Sequence, residues 1–337
     1  MRSADFTRPG EIHFRNDATA PQPGPGEVLV AVRACGICGS DLHMFRDNSY
    51  RDKLVRETPE GYAVPGHEFA GEIAALGDGV EGWHVGDRVV GVTGMGGGMA
   101  DLVAVPVNPW QLVRIPDGLS FEEAATTEPL ADGLQMVRKG APADGENVVV
   151  FGVGIIGLGV IQSIRARGIS PSRIIAVDVH DARLAKALEV GATHAVNARD
   201  ADVFELIGEI CGVSESYAGV SCNIALVFDC AGYIRHMKGP PPLETALKIV
   251  NPGGRIVCFG GFEGPVTIDM SPLIEKQPTI FGSNGYAPEE LVEALDLMNS
   301  GQVDRATLLS ASFPLEQIAQ AFSAQMQPNA VKVMLNV

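Results

Sequence analysis

The stretch "NVVVFGVGIIGLGVIQSIRARG", residues 147–168, decides the fold. Its valines, 148 to 150, read as a strand that runs straight into Gly152-Val153-Gly154-Ile155-Ile156-Gly157, and a helical pattern follows at once. Alone, Gly-x-Gly-x-x-Gly is a weak signal, since glycine-rich turns are common. Between a strand and a helix it is what a dinucleotide needs. The first glycine permits the tight turn, the second lets backbone approach a pyrophosphate, and the third allows close helix–strand packing. The helix start then offers unpaired N–H groups and the positive end of its dipole to the phosphates.

Outward from this stretch the alternation continues. "RIIAVD" (173–178) leads into "DARLAKALEVG" (181–191), and "ATHAVNA" (192–198) into "ADVFELIGEIC" (201–211). "ALVFDCAG", "LETALKIV", "RIVCFGG" and "PTIFGSNG" carry it to residue 285. Strands alternating with helices of about ten residues mean βαβ units and a parallel sheet. The strand at 173–178 ends on Asp178, twenty-one residues after Gly157. A carboxylate there accepts hydrogen bonds from ribose hydroxyls and repels a 2′-phosphate, and neither Val179 nor His180 is Arg or Lys, so NAD is expected over NADP. The expected cofactor-binding set is Gly152, Gly154, Ile155, Ile156, Gly157, Asp178, Arg183, Cys230, Phe259 and Phe281.

Residues 27–91 differ in character. "EVLVAVRACG", "EFAGEIAALG" and "VGDRVVGV" are strand-like runs separated by Gly, Pro and Asp, and "DNSYRDKLVRETPEGYAV" (47–64) reads as a polar surface loop. A helical "PEELVEALDLMNSG" and a short β/α tail ending in "AVKVMLNV" follow the parallel region. The chain of 337 residues therefore reads as two domains: 141–287 binds dinucleotide, and 1–140 with 288–337 forms a β-rich partner.

Composition narrows the classes. Hydrophobic residues at 46% and charged residues at 20% describe an ordinary globular chain. A net charge of −16 argues against nucleic acid or an anionic membrane as partner. The opening residues lack the apolar core of a signal peptide, no run approaches the ~18 apolar residues of a membrane span, and six irregularly spaced cysteines are not a disulfide framework. A reducing cytoplasm is the expected compartment.

"ACGICGSDLHMF" (34–45), read as a glycine-punctuated loop, raises a metal question. A zinc ribbon needs a second cysteine pair or a histidine pair, and Cys211, Cys222, Cys230 and Cys258 are scattered. A thioredoxin-like pair belongs at a helix start in a βαβ unit, which this segment is not. Gly66-His67-Glu68 supplies an imidazole and a carboxylate. With a thiolate, these are the mixture that gives zinc three protein ligands and one open position. Cys35 reads as a buried small hydrophobe.

"CGICGSDLHMF", "PGHEFAGEI", "VGDRVVG", "EPLADGLQMV", "VVVFGVGIIGLG" and "NPGGRIVCFGG" occur in an order that resembles the zinc-dependent medium-chain dehydrogenases across the whole chain. The likeness is greatest to the polyol branch of sorbitol, butanediol and threonine dehydrogenases. It implies an α/β protein with a Rossmann doubly wound sheet and a GroES-like catalytic domain. It implies catalytic zinc on Cys38 and His67, with Glu68 and Glu128 ligating directly or through water. Ser40 matches the residue that touches the substrate oxygen, His43 the relay that passes its proton onward, and Asp41 the aspartate that orients a ligating histidine. Without the resemblance His43 reads as a surface residue and Asp41 as a turn residue. Many members carry a four-cysteine loop for structural zinc; residues 86–106 hold no cysteine, so one zinc per chain is expected.

The resemblance thus implies a secondary alcohol or small polyol as substrate, its ketone as product, and a homodimer or homotetramer. A zinc-free quinone-reductase-like enzyme is one rival, and a non-catalytic NAD-binding scaffold is the other. The combined set of ligands, relay and fingerprint argues against both. In Glu128-Pro129 the proline is expected to hold Glu128 extended and aimed at the site.

Overall fold

Valines 28, 30 and 32 and the small residues after them make a strand buried almost throughout, β1 (Glu27–Gly36). It belongs to a computed structural model that describes residues 1–337 except Tyr50, Asp200, Ala201 and His236. Tyr50 of the expected loop and Ala201 at the start of an expected helix thus lie outside the described residues. The chain divides into two units, Met1–Glu128 with Ala287–Val337, and Pro129–Tyr286.

In the first unit, β1 is followed by α1 (Gly39–Asp47), β2 (Glu68–Leu76), β3 (Arg88–Val92), β4 (Leu102–Pro106) and β5 (Leu112–Arg114). The chain passes into the second unit within α2 (Thr127–Gly140). There β6 (Asn147–Phe151), α3 (Ile155–Ala166), β7 (Arg173–Asp178), α4 (Asp181–Glu189), β8 (His194–Asn197), α5 (Val203–Cys211), β9 (Ile224–Asp229), α6 (Pro242–Ile249), β10 (Val250–Cys258) and β11 (Thr279–Gly282) follow. The first unit is completed by α7 (Pro288–Asn299), β12 (Leu309–Pro314), α8 (Ile318–Gln325) and β13 (Lys332–Asn336).

The first unit's sheet has seven strands in the order β12-β13-β1-β2-β3-β5, with β4 also on β1. All its pairings are antiparallel except β12 with β13. Val28, Val30, Val32, Cys35, Phe69, Ile73, Val89 and Phe322 share one core. Each such large side chain contributes about 1.5–3 kcal/mol when taken fully from water. The second unit's sheet is six-stranded and wholly parallel, β8-β7-β6-β9-β10-β11. Counted from β6 this is 3-2-1-4-5-6, the doubly wound dinucleotide order, with its reversal between β6 and β9.

Three local expectations need correction. The segment 34–45 is the end of β1 and then α1, not a loop. Cys38 is the N-cap in extended backbone, and Asp41, third in the helix, turns back to accept its N–H at 2.9 Å. That acid three residues after the cap is a helix-start signature. Residues 47–64 contain the short helix Arg51–Leu54 and the strand pair Arg56–Glu57 and Ala63–Val64. Glu128 is helical, not extended, because Pro129 sits in the first turn of α2, where a missing N–H costs nothing. The first-turn position overrides the usual bias of a residue before proline. Residues 129–140 also fall with the second unit, whereas the reading of the sequence placed them with the first.

The glycine-rich turn separates two kinds of glycine. A Cβ on Gly157 would lie 2.0 Å from the carbonyl oxygen of Gly152, whereas one on Gly154 would meet nothing within 4 Å. Gly157→Ala is therefore expected to lower unfolding free energy by about 1–3 kcal/mol through overpacking. Gly154→Ala is expected to leave it within about 0.5 kcal/mol and to weaken dinucleotide binding instead. Urea melts alongside a nucleotide titration check both; equal stability losses would refute the distinction.

Candidate active site

In the first unit, register builds the candidate metal cluster. Cys35 of β1 faces Phe69 of β2, so the residues just past β1 and those at the start of β2 meet at one end of the pair. Cys38, His67 and Glu68 converge there, with one ligand-type atom from each lying within 4.8 Å of the others. Glu68 is fully buried, and its Oε2 and the Nδ1 of His67 are buried without a hydrogen-bond partner. Burial opposes charge on His67. Charge at Cys38, the hydrogen bond to it, Asp41 and Glu128 outweigh this and hold the imidazole well above its usual pKa. Negative charge that draws a proton onto this imidazole would equally draw a divalent cation. Thiolate, imidazole and carboxylate with unpartnered buried atoms fit zinc. Among the described residues no second such group of His, Cys, Asp and Glu occurs.

Glu128 lies outside the group of three, but close enough for its charge to act on His67 and on Lys332. Asp41 is wholly buried, and burial pushes its carboxyl up despite the opposing His67 charge and the Cys38 N–H. Neither its Oδ1 nor His67 Nδ1 has a partner, so Asp41 orients Cys38 by hydrogen bond and acts on the imidazole by charge. Ser40 and His43 are three residues apart on α1, hence on one face. The Ser40 hydroxyl is buried and unpartnered. Cys35 is fully buried, with its thiol pushed well up by burial and then by Asp41 and Glu68.

Two buried cations in this unit were not found by reading the sequence. Lys332, the first residue of β13, is fully buried and its ammonium donates to Glu68 Oε1 and to Ile37 O. Arg305 is also fully buried; burial lowers its pKa to about 10, against the raising effect of Glu68. Neither has a local sequence signal, since both act on a residue more than two hundred positions away.

In the second unit the nucleotide candidates gather at the C-terminal ends of parallel strands, where such sheets bind ligands. Gly152 follows β6, with a φ of 77° that suits glycine, and Gly154 caps α3. Ile155, Ile156 and Gly157 form its first turn. Cys230 follows β9 and Phe259 follows β10, the latter's N–H donating to Asp229 O. Phe281 lies in the edge strand β11. Asp178 ends β7 with its carboxylate accepting three backbone N–H groups: Val153 at 2.9 Å, Val179 at 2.7 Å and His180 at 3.0 Å. It therefore braces the glycine-rich turn as well as the start of α4. Burial and then Arg183 lower the His180 pKa, Asp178 opposes, and Arg199 lowers it further. Arg199, which donates to Val179 O at 2.8 Å, was also missed because it comes from beyond β8.

Comparison with known proteins bears on both units. The profile of the alcohol dehydrogenase GroES-like domain matches residues 24–117, and that of zinc-binding dehydrogenase residues 156–300. Sorbitol dehydrogenase of Arabidopsis thaliana is 30% identical over 347 residues, which span 94% of this chain and 90% of that one. (R,R)-Butanediol dehydrogenase of Bacillus subtilis is 31% identical over 366 residues, 99% of each. The crystal structure of 2R,3R-butanediol dehydrogenase from Bacillus subtilis aligns with a TM-score of 0.81 at 28% identity, over 100% of this chain and 99% of that one. The full-length likeness agrees with the ligand cluster and the 3-2-1-4-5-6 sheet: the chain belongs to the zinc-type medium-chain alcohol and polyol dehydrogenases.

Proposed function

We propose that this chain interconverts a secondary alcohol or small polyol with its ketone, using one zinc ion and NAD. The observation that carries the reading is the meeting of Cys38, His67 and Glu68 atoms within 4.8 Å at a strand end where Glu68 is buried and the other two are half-buried. Such a grouping has no use in a zinc-free reductase or a scaffold. When bound, zinc polarises the alcohol oxygen as a Lewis acid and the nicotinamide accepts hydride from the carbinol carbon. Cys38 and His67 would hold the metal, with Glu68 as the direct carboxylate ligand and Glu128 as a second carboxylate that could take its place or act through water. Ser40 Oγ takes the substrate proton and His43 passes it onward. The absence of cysteine from residues 86–106 supports a single zinc.

Purified protein is expected to carry about one zinc per chain. Cys38→Ala should lose metal and activity together while Cys35→Ala keeps both, as read by metal analysis and NAD reduction across a panel of secondary alcohols and polyols. Two tightly held zinc ions, or full metal in Cys38→Ala, would refute the ligand set. Ser40→Ala should keep its zinc and lower kcat by about 10²–10⁴-fold, the usual range for a lost proton-transfer group. Glu128→Gln should lower turnover more than zinc content, and full activity there would make Glu128 a bystander.

Asp178 supports NAD, because its charge stands where a 2′-phosphate would go. Arg183 and Arg199, acting on the adjacent His180, are the groups such a phosphate would use once the carboxylate is gone. Asp178→Ser is expected to raise the NADP-to-NAD ratio of kcat/KM by about tenfold, equivalent to ~1.4 kcal/mol, while raising KM for both by loosening Val153. A wild-type preference for NADP would overturn the assignment.

A further inference from the structure

The Glu68–Lys332 pair joins residues 264 apart in sequence and leaves neither side chain exposed. A wholly buried ion pair is weak ground for stability, because desolvation of both charges offsets most of their attraction, and apolar pairs of similar volume serve as well or better. Its placement is more telling. Met334 of β13 faces Gly36 of β1 and Ile37 N–H donates to Val333 O at 3.1 Å, so Lys332 comes in beside the end of β1. The lysine reaches Glu68 through space that exists only because residue 36 has no side chain. A Cβ on Gly36 would lie 2.5 Å from Lys332 Cε, 2.8 Å from its Nζ and 3.2 Å from Glu68 Cδ. The ammonium is fixed from a second direction by Ile37 O at 3.2 Å. Oε1 of Glu68 is thereby occupied, and Oε2 is the oxygen left without a protein partner.

We propose that Lys332 is a positioning residue for the metal centre: it holds Oε1 of Glu68, leaving a single, charge-depleted oxygen for the metal, so that Glu68 remains a ligand that substrate or water can displace. The proposal rests on the zinc reading above. A carboxylate whose charge is shared with an ammonium donates less to a metal, and with one oxygen engaged it cannot chelate. Without the lysine both oxygens and the full charge become available, and the position needed by substrate closes. Gly36 is part of the same device, since it keeps the lysine's path open.

The test substitutes cobalt(II) for zinc and reads its visible absorption, which reports ligand number and type. Lys332→Met is expected to keep about one metal per chain, to release it more slowly to a chelator, and to show an altered cobalt spectrum. Its kcat should fall about 10–100-fold, the range typical of residues that orient a metal ligand, with KM for NAD unchanged. Gly36→Ala should reproduce the spectral change by displacing the lysine. In a Glu68→Gln background, Lys332→Met should add no further spectral change, because Glu68 is the side chain that the ammonium holds. If Lys332→Met does not fold, Gly36→Ala in wild-type and Glu68→Gln backgrounds makes the same comparison. Folded variants with the wild-type spectrum and release rate would overturn the proposal, as would a spectral change that persists without Glu68. Wild-type protein that takes up no cobalt or zinc would instead overturn the metal reading itself.

Discussion

Strand β1 is the constraint on which the first unit depends. One of its edges is taken along most of its length by β2, while the other is shared in series, residues 27–31 pairing with β4 and residues 34–36 with β13. A strand needs backbone partners on both edges once it is buried, because an unpaired N–H or C=O in the core costs more than a hydrogen bond is worth. Meeting that requirement brings the segment at 332–336 back beside Gly36, and so makes the first unit discontinuous in sequence. It also gathers three chain segments around the end of β1: the start of α1 with Cys38, the start of β2 with His67 and Glu68, and the start of β13 with Lys332.

The chemistry of the site follows from placing polar groups at this apolar junction. The strands beneath it are anchored by a core of valine, isoleucine and phenylalanine side chains, which holds the ends rigid. Asp41, Glu68, Lys332 and Arg305 are buried with them. In such surroundings charges act strongly on one another, and the balance between acids and cations sets how readily a metal is held. The acids there outweigh burial at His67 and raise its pKa, and a divalent ion would answer the same demand for positive charge.

Legibility in the sequence followed range. The dinucleotide unit could be read because its signal is local: a strand, Gly152 to Gly157 and a helix are contiguous, and Gly157 is required by a contact with Gly152 only five residues away. Continuous apolar runs such as 148–150 marked strands buried on both faces. The candidate metal ligands, at 38 and 67–68, have no spacing rule of their own, so residue chemistry left them as one mixture among several and the family resemblance singled them out. Lys332 and Arg305 were invisible because nothing near them in sequence shows what they face. Where local rules misled, a neighbouring rule had prevailed: Pro129 in a first helical turn outweighed the extended bias on Glu128, and the Asp41 cap turned an apparent loop into α1.

The return of the C-terminal strand has a consequence for how the protein is made. The second unit is one unbroken run, Pro129–Tyr286, and can fold as a domain while the chain is still being synthesised. The first unit cannot. Glu68 and Lys332 are 264 residues apart, which at roughly 5–20 residues per second separates their synthesis by on the order of tens of seconds. Throughout that interval a nascent chain carries Cys38, His67 and an uncompensated Glu68 without the strand that shields them. The ribosome therefore delivers Cys38, His67 and Glu68 long before their counter-charge, and the newborn polypeptide has a period in which the thiol is open to any thiophilic ion before the strand closes over it.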